Sequence, residues 1–83
     1  MMPKIVNIFG ASWCIYCKKA IDLCNEKGVN YTYHDIDNES ALDILMSIQG
    51  NFTSVPQIFI DTDFRHIGGY TELKELLDGE AES

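Results

Sequence analysis

The chain has 83 residues, of which 46% are hydrophobic and 11% aromatic, a composition typical of a globular protein and sufficient for one domain spanning residues 1–83. Its formal net charge of −7 argues against nucleic acid as a partner, because neutralising phosphates needs clustered Lys and Arg. The sequence has no signal-peptide core and no apolar run of membrane-spanning length, so a cytoplasmic protein without membrane attachment is expected.

The first apolar run, Lys4–Phe9, predicts a buried strand that Gly10 breaks into a loop. A helical pattern follows, and the cysteine pair Cys14 and Cys17 opens it. A cysteine at this junction faces the unpaired N–H groups of the first helical turn and the positive end of the helix dipole, both of which stabilise a thiolate. Cys14 is therefore predicted to be the attacking nucleophile. Cys17, one turn further in, is predicted to resolve the disulfides that Cys14 forms.

Zinc binding and plain core packing are the alternatives for this cysteine pair. Structural zinc takes four ligands, usually from two such pairs, and the remaining candidates Cys24, His34 and His66 lack that spacing. A C-x-x-C pair beside a β-α-β pattern is more typical of redox chemistry. In a reducing cytosol such a pair is catalytic or metal-binding more often than a permanent crosslink. We therefore expect redox chemistry without a metal.

The helical pattern of Lys18–Lys27 is expected to end at Gly28. Residues at offsets of zero, three, four and seven form its inward face, namely Cys17, Ala20, Ile21 and Cys24. Cys24 is interpreted as an inert core residue, since a buried free cysteine packs as a small hydrophobe. Acidic residues gather in segments 35–43 and 72–82, away from the cysteine pair, whereas Lys18 and Lys19 lie next to that pair. The acidic surface is interpreted as solvated, and the two lysines could attract anionic thiols.

The middle of the chain predicts a second strand and a second helix. Val29–Ile36 alternates well enough to be a strand, with His34 pointing to solvent or lying at an edge. Asp37 or Asn38 can cap the helix, and Gly50 is expected to end it. Its apolar stripe consists of Leu42, Leu45 and Ile48.

The last third predicts a hairpin and a final helix. Gln57–Ile60 is a short buried strand, Phe64–Ile67 its hairpin partner, and the glycine pair after it breaks the second strand. Thr71 is expected to begin the helix and Gly79 to end it, so that Glu80–Ser83 frays. The inward residues of this helix are Leu73, Leu76 and Leu77. The order β-α-β-α-β-β-α implies a mixed four-stranded sheet flanked by three helices.

Three motifs together resemble the dithiol glutaredoxins: Cys14-Ile15-Tyr16-Cys17, the segment Ser54–Ile60, and the segment Ile67–Glu72. The resemblance runs from about Lys4 to Leu77, and the motifs have the order and spacing of that family. It implies an α/β, thioredoxin-like fold with strand order 2-1-3-4, in which the third strand is antiparallel to the first two. In that fold the three motifs converge at one end of the sheet.

The resemblance also implies a glutathione site. Val55-Pro56 would form a cis peptide and present its backbone to the cysteinyl part of glutathione. Thr71 and Glu72 would offer helix-start N–H groups to the γ-glutamyl carboxylate, and the Glu72 side chain would meet the α-amino group. Tyr16 would flank the glutathione sulfur. The full implied set is Tyr16, Val55, Pro56, Gly68, Gly69, Thr71 and Glu72.

The function implied is reduction of protein disulfides and glutathione mixed disulfides by a monomer that uses glutathione as co-substrate, with ribonucleotide reductase as a plausible partner. Two positions depart from the family: Ile15 replaces a proline, and Ala11 stands where Lys or Arg is common. Two alternatives remain open. One is a thioredoxin-like electron donor recycled by a flavin reductase. The other is a module in which two chains and two glutathiones hold a [2Fe–2S] cluster through Cys14.

Overall fold

The computed structural model describes the backbone of residues 3–82 and the side chains of residues 3–79. Four strands form one sheet in the order β2-β1-β3-β4. β1 is parallel to β2, whereas β3 is antiparallel to both β1 and β4. This arrangement confirms the predicted thioredoxin-like fold. The elements are β1 (Val6–Gly10), α1 (Ile15–Lys27), β2 (Tyr31–Asp35), α2 (Glu39–Ile48), β3 (Gln57–Ile60), β4 (Arg65–Gly68) and α3 (Tyr70–Glu82).

Alternating side chains of the two central strands build a core on each face of the sheet. On one face, β1 and β3 pack against α1 and α3, and the fully buried anchors include Val6, Ile8, Ile58, Leu73 and Leu77. On the other face the core is smaller and aromatic, with Leu45 of α2 covering Phe9 and Phe59. The sheet is therefore the middle of three layers, and α1, the helix that begins at the cysteine pair, lies on the larger core.

His34 lies on the edge strand β2, as predicted, but its ring does not point to solvent. The ring stacks on Phe9 with 4.4 Å between centroids, and its Nε2 lies 3.3 Å from the buried Asn7 Oδ1. Burial lowers the pKa of His34, because a charged imidazole would lose hydration there. The predicted edge position is confirmed, and the ring turns away from solvent because Phe9, on the neighbouring strand, offers it a stacking surface.

Gly10 is the last residue of β1 rather than the start of a loop. It pairs with Asp35 in the parallel register, and its carbonyl accepts the Ile36 N–H at 2.9 Å. The two parallel strands are also shorter than predicted, since β1 begins at Val6 and β2 spans only Tyr31–Asp35.

The predicted stop of α1 at Gly28 and a predicted cap of α2, Asn38, are both present, although α1 begins earlier than predicted. α1 begins at Ile15 rather than Lys18, and Gly28 ends it in the left-handed conformation with φ 69°. The Asn38 side chain caps α2 by accepting the Ser40 N–H at 2.9 Å. The predicted apolar stripe of α2 is wrong at Ile48, which is 41% exposed because only the middle of this short helix reaches the aromatic core.

The hairpin and the final helix differ from prediction at their ends. Phe64 lies in the turn with a positive φ of 51°, so β4 begins at Arg65, and Gly68 pairs with Ile58 instead of breaking the strand. α3 starts at Tyr70 and continues through Gly79 to Glu82. A glycine inside a helix costs only about 1 kcal/mol relative to alanine, so it weakens a helix without ending it. Ser83 lies outside the described residues. In the described part of the chain, none of the helices combines the length and the apolar character needed to cross a bilayer.

Candidate active site

Three separate segments meet where β1 ends: the start of α1, the segment before β3, and the start of α3. The thiol of Cys14 donates to the Val55 carbonyl, with 3.5 Å between sulfur and oxygen. The Val55-Pro56 peptide is cis, as predicted. The fold therefore places the cysteine pair against a backbone segment that is 41 residues away in sequence.

Cys14 is the N-cap residue of α1. Its backbone is extended, with φ −95° and ψ 112°, and its sulfur accepts the Cys17 N–H at 3.3 Å. The side chain is partly exposed. A sulfur in this place takes one of the helix's unsatisfied donors and lies at the positive end of the dipole. The sulfur that caps α1 is therefore also one that a substrate can reach.

Cys17, unlike Cys14, is a buried thiol. Its side chain is only 1% exposed. Burial is the largest cause that raises the pKa of the Cys17 thiol to about 12, and the hydrogen bond with the Cys14 side chain adds to it. At neutral pH, Cys17 is therefore a thiol held beside the more accessible Cys14 sulfur.

Gly10 makes room for Cys17. A Cβ at Gly10 would lie 2.6 Å from the Cys17 sulfur and 2.9 Å from its Cβ. Both distances are shorter than carbon and sulfur atoms tolerate without contact strain, so any larger residue at this position must move Cys17. The prediction had treated Gly10 only as a strand breaker, because this contact depends on how α1 packs on the sheet.

A cleft of about 260 Å³ lies between the first turn of α1 and the start of α3. Six of the seven residues that the resemblance assigned to glutathione lie in its wall. Gly68 lies beside the wall, where φ is +122° and the space of a Cβ is filled by the Glu72 side chain. Ser54 and Tyr70 also line the cleft and had been assigned no role, although both lie within the motifs. The complete lining is Tyr16, Ser54, Val55, Pro56, Gly69, Tyr70, Thr71 and Glu72.

The far end of the cleft combines an acceptor with free donors. Glu72 Oε1 accepts the Gly69 N–H at 2.7 Å, which is half of a capping box. The N-cap position itself holds Gly69, which has no side chain to satisfy the N–H groups of the first helical turn. A carboxylate and unsatisfied backbone N–H groups therefore lie next to each other at this end.

The rim of the site is apolar and carries a nearby cation. Trp13 and Ile15 are 75% and 66% exposed, so the residue that replaces the family's proline points outward. Lys19 Nζ lies 5.2 Å from the centroid of the Tyr16 ring, within the range of a cation–π interaction. Ala11 is only 2% exposed. Its side chain faces the interior rather than the cleft.

Cys24 lies in the larger core, fully buried, and burial raises the pKa of its thiol to about 11. This placement agrees with its prediction as a core residue. Among the side chains of residues 3–79, no three from His, Cys, Asp or Glu are grouped in a way that could hold a metal ion.

The chain is similar to known proteins over most of its length. The sequence model of the family described as Glutaredoxin matches residues 6–65. Glutaredoxin 3 of Escherichia coli K12 is 39% identical over 71 residues, covering 86% of this chain and 83% of that protein. Glutaredoxin 1 of the same strain is 42% identical over 82 residues, covering 86% of this chain and 94% of that protein. The crystal structure of a buckwheat glutaredoxin–glutathione complex superposes with a TM-score of 0.69 at 29% identity, covering 90% of this chain and 70% of that one.

Proposed function

The chain belongs to the glutaredoxin family of thiol-disulfide oxidoreductases, and from this premise we propose that it reduces protein disulfides and glutathione mixed disulfides with glutathione as the reductant. The observation that carries the proposal is the Cys14 sulfur, which caps α1 and contacts the Val55 carbonyl at one end of the cleft. The sulfur of the proposed nucleophile thus adjoins a cleft that suits a thiol-bearing peptide.

The proposed reaction begins when the Cys14 thiolate attacks one sulfur of a substrate disulfide and releases the other sulfur as a thiolate. Cys17 loses its proton, attacks the Cys14 sulfur and expels the second substrate thiolate, which leaves a Cys14–Cys17 disulfide. Two glutathione thiolates then reduce that disulfide and leave as glutathione disulfide. Two electrons therefore pass from glutathione to the substrate. When the substrate is a glutathione mixed disulfide, a second glutathione can resolve the Cys14 intermediate without Cys17.

The contact between Cys14 and Val55 supports a role for the Val55 backbone in binding. The Val55 carbonyl accepts the Cys14 thiol in this structure. Once Cys14 ionises it has no proton to donate, and the carbonyl is left with an empty acceptor site beside the nucleophile. The N–H of an incoming cysteinyl residue fits that acceptor and would align its sulfur with Cys14.

The far end of the cleft supports recognition of the γ-glutamyl group, which carries both an α-carboxylate and an α-ammonium. The N–H groups at Thr71 and Glu72 suit the carboxylate, because a helix start favours anions. The Glu72 carboxylate suits the ammonium through a charge-assisted hydrogen bond. Lys19, held beside Tyr16, supports electrostatic attraction of a molecule with net negative charge.

We further propose that the protein acts as a single-domain monomer in a reducing cytoplasm. A reducing cytoplasm agrees with the free thiols of Cys14, which is partly exposed, and of Cys17, which is buried. Ribonucleotide reductase is one protein disulfide substrate that the family resemblance supports.

The test is turnover of a glutathione mixed disulfide, followed by NADPH consumption in the presence of glutathione and glutathione reductase. A parallel reaction replaces both with thioredoxin reductase, and the visible spectrum is recorded after anaerobic purification. Turnover that depends on glutathione supports the proposal. Turnover with thioredoxin reductase alone, or a visible iron–sulfur spectrum without turnover, would overturn it in favour of one of the two alternatives.

Glu72 allows binding and capping to be separated. Glu72→Gln retains an oxygen for the Gly69 N–H, and glutamine occupies this position of a capping box as well as glutamate does. It removes the charge that would meet the α-ammonium, so the Michaelis constant for glutathione should rise about tenfold or more, since hydrogen bonds to charged groups contribute about 1.5–3 kcal/mol. The thermal midpoint should change little.

Glu72→Lys is the companion variant, because it removes both the charge and the cap. Its Michaelis constant should rise at least as much, and the fold should lose about 0.5–2 kcal/mol of stability. Iodoacetamide titration of Cys14 should be unchanged in both proteins. If Glu72→Gln leaves the glutathione dependence of turnover unaltered, Glu72 is only a helix cap and contributes nothing to binding.

A further inference from the structure

The Tyr33 ring and the buried thiol of Cys17 both lie close to Gly10. The point that a Cβ on Gly10 would occupy lies 2.6 Å from the Cys17 sulfur and 3.2 Å from Cε1 of the Tyr33 ring. The sulfur and the ring therefore pack around the same small space above Gly10.

The strand register explains why Tyr33 reaches this place. Tyr33 of β2 pairs with Ile8 of β1, which lies two residues before Gly10. Tyr33 and Ile8 therefore point to the same face of the sheet, the one that α1 covers. Tyr33 packs against the larger core from its edge. β2 is the edge strand on this side, so beyond the Tyr33 ring there is no further strand between Cys17 and water.

The surroundings of the ring make its hydroxyl a poor proton acceptor. Burial is the largest cause that raises the pKa of Tyr33, and the negative charge of Asp35 adds to it. The hydroxyl thus stays protonated at neutral pH and cannot take the proton of Cys17. What the ring offers Cys17 is apolar cover.

We propose that Tyr33 is a positioning residue that keeps Cys17 buried and thereby sets how much turnover passes through Cys17 rather than through glutathione alone. This inference rests on the proposed function for its consequence in turnover. The step concerned is the attack of Cys17 on the mixed disulfide of Cys14. A new Cys14–Cys17 bond forms, the bond from Cys14 to the substrate sulfur breaks, the substrate leaves as a thiolate, and the proton of Cys17 passes to solvent.

The cover slows this step because a buried thiol must first ionise. While Cys17 remains a thiol, the mixed disulfide of Cys14 persists long enough for glutathione to attack it. A thinner cover lets water reach the Cys17 sulfur, increases the thiolate fraction and directs more of the intermediate into the Cys14–Cys17 disulfide.

The test measures Cys17 directly, in a Cys14→Ser, Cys24→Ala background in which Cys17 is the only thiol. Tyr33→Leu removes the ring, Tyr33→Phe keeps it and removes the hydroxyl, and Tyr31→Leu is the matched control on the same strand and core. The alkylation rate of Cys17 by iodoacetamide is recorded against pH, and unfolding of each variant is followed by circular dichroism.

Tyr33→Leu should lower the pKa of Cys17 by about one unit and raise its alkylation rate at pH 8 about tenfold, because less desolvation favours the thiolate. Tyr33→Phe and Tyr31→Leu should stay within about twofold of the parent protein, since both keep the cover. With all cysteines present, Tyr33→Leu should shift activity from glutathione mixed disulfides toward protein disulfides. Unchanged alkylation in folded Tyr33→Leu, or an equal increase in Tyr31→Leu, would overturn the proposal.

The two experiments also separate this inference from the proposed function. Alkylation of Cys17 needs no glutathione, so it reports on the cover even if glutathione proves not to be the reductant. If Tyr33→Leu fails to fold while Tyr33→Phe and Tyr31→Leu fold, the ring is a structural support of β2, and the role as a cover is rejected.

Discussion

Replacing Cys14 with serine should abolish reduction of both protein disulfides and glutathione mixed disulfides. Cys14 is the thiol that caps α1 and reaches the solvent, whereas Cys17 and Cys24 are buried and their thiol pKa values are raised to about 12 and about 11. A serine hydroxyl does not ionise at neutral pH, so turnover should fall by at least about 10³-fold, the scale seen when a nucleophile is removed. Glutathione-coupled turnover on each substrate measures the loss.

Cys17→Ser is the matched variant for this experiment. It should retain removal of glutathione from mixed disulfides, because that route needs only Cys14 and free glutathione. Reduction of a protein disulfide should fall strongly, since the internal Cys14–Cys17 disulfide cannot form. Equal loss on the mixed disulfide in Cys14→Ser and Cys17→Ser would contradict the assignment of the two roles.

Gly10→Ala should have the second largest effect, by displacing Cys17. The added Cβ would lie 2.6 Å from the Cys17 sulfur, on a strand whose two sides are both packed. Overpacking of this kind costs about 1–3 kcal/mol. The displaced sulfur should be badly placed to attack the Cys14 mixed disulfide, so protein disulfide reduction should fall about tenfold or more, in line with the sensitivity of such steps to small misplacements.

Gly79→Ala is the control for Gly10→Ala. An alanine Cβ at Gly79 meets no atom within 4 Å, and the position lies within α3. This variant should gain about 0.5–1 kcal/mol of stability, because alanine is the better helix former, and should keep full activity. Denaturant unfolding and the two turnover assays measure both effects. If Gly10→Ala keeps wild-type stability and protein disulfide reduction, the contact with Cys17 has no consequence for the chemistry.

Local sequence patterns, each only a few residues long, were sufficient to predict most of the helices and strands. The cap at Asn38, the stop at Gly28 and the buried run Gln57–Ile60 each depend on local backbone chemistry, and the structure has them where they were predicted. The prediction that Gly79 ends α3 was wrong, because the intrinsic cost of a glycine in a helix is small beside the packing of Leu73 and Leu77 that anchors α3.

The candidate site was predictable only to the extent that its parts are motifs. The nucleophile followed from its place before a helix, and the cleft followed from family resemblance. The space shared by Gly10, Cys17 and Tyr33 could not be predicted, because it depends on the strand register and on how closely α1 approaches the sheet. The inward direction of the Ala11 side chain could not be predicted either, since a loop residue belongs to no periodic pattern that indicates where its side chain points.

The Cys14 sulfur that caps α1 couples the redox potential of the protein to its folding stability. A thiolate is a better cap than a disulfide sulfur, which carries no charge, so oxidation weakens the start of the helix. With about 0.5–2 kcal/mol for a cap and about 30 mV for each 1.4 kcal/mol of a two-electron couple, this preference raises the reduction potential by about 10–40 mV. The cap thus favours the reduced form of the folded protein, and to that extent makes it a weaker electron donor.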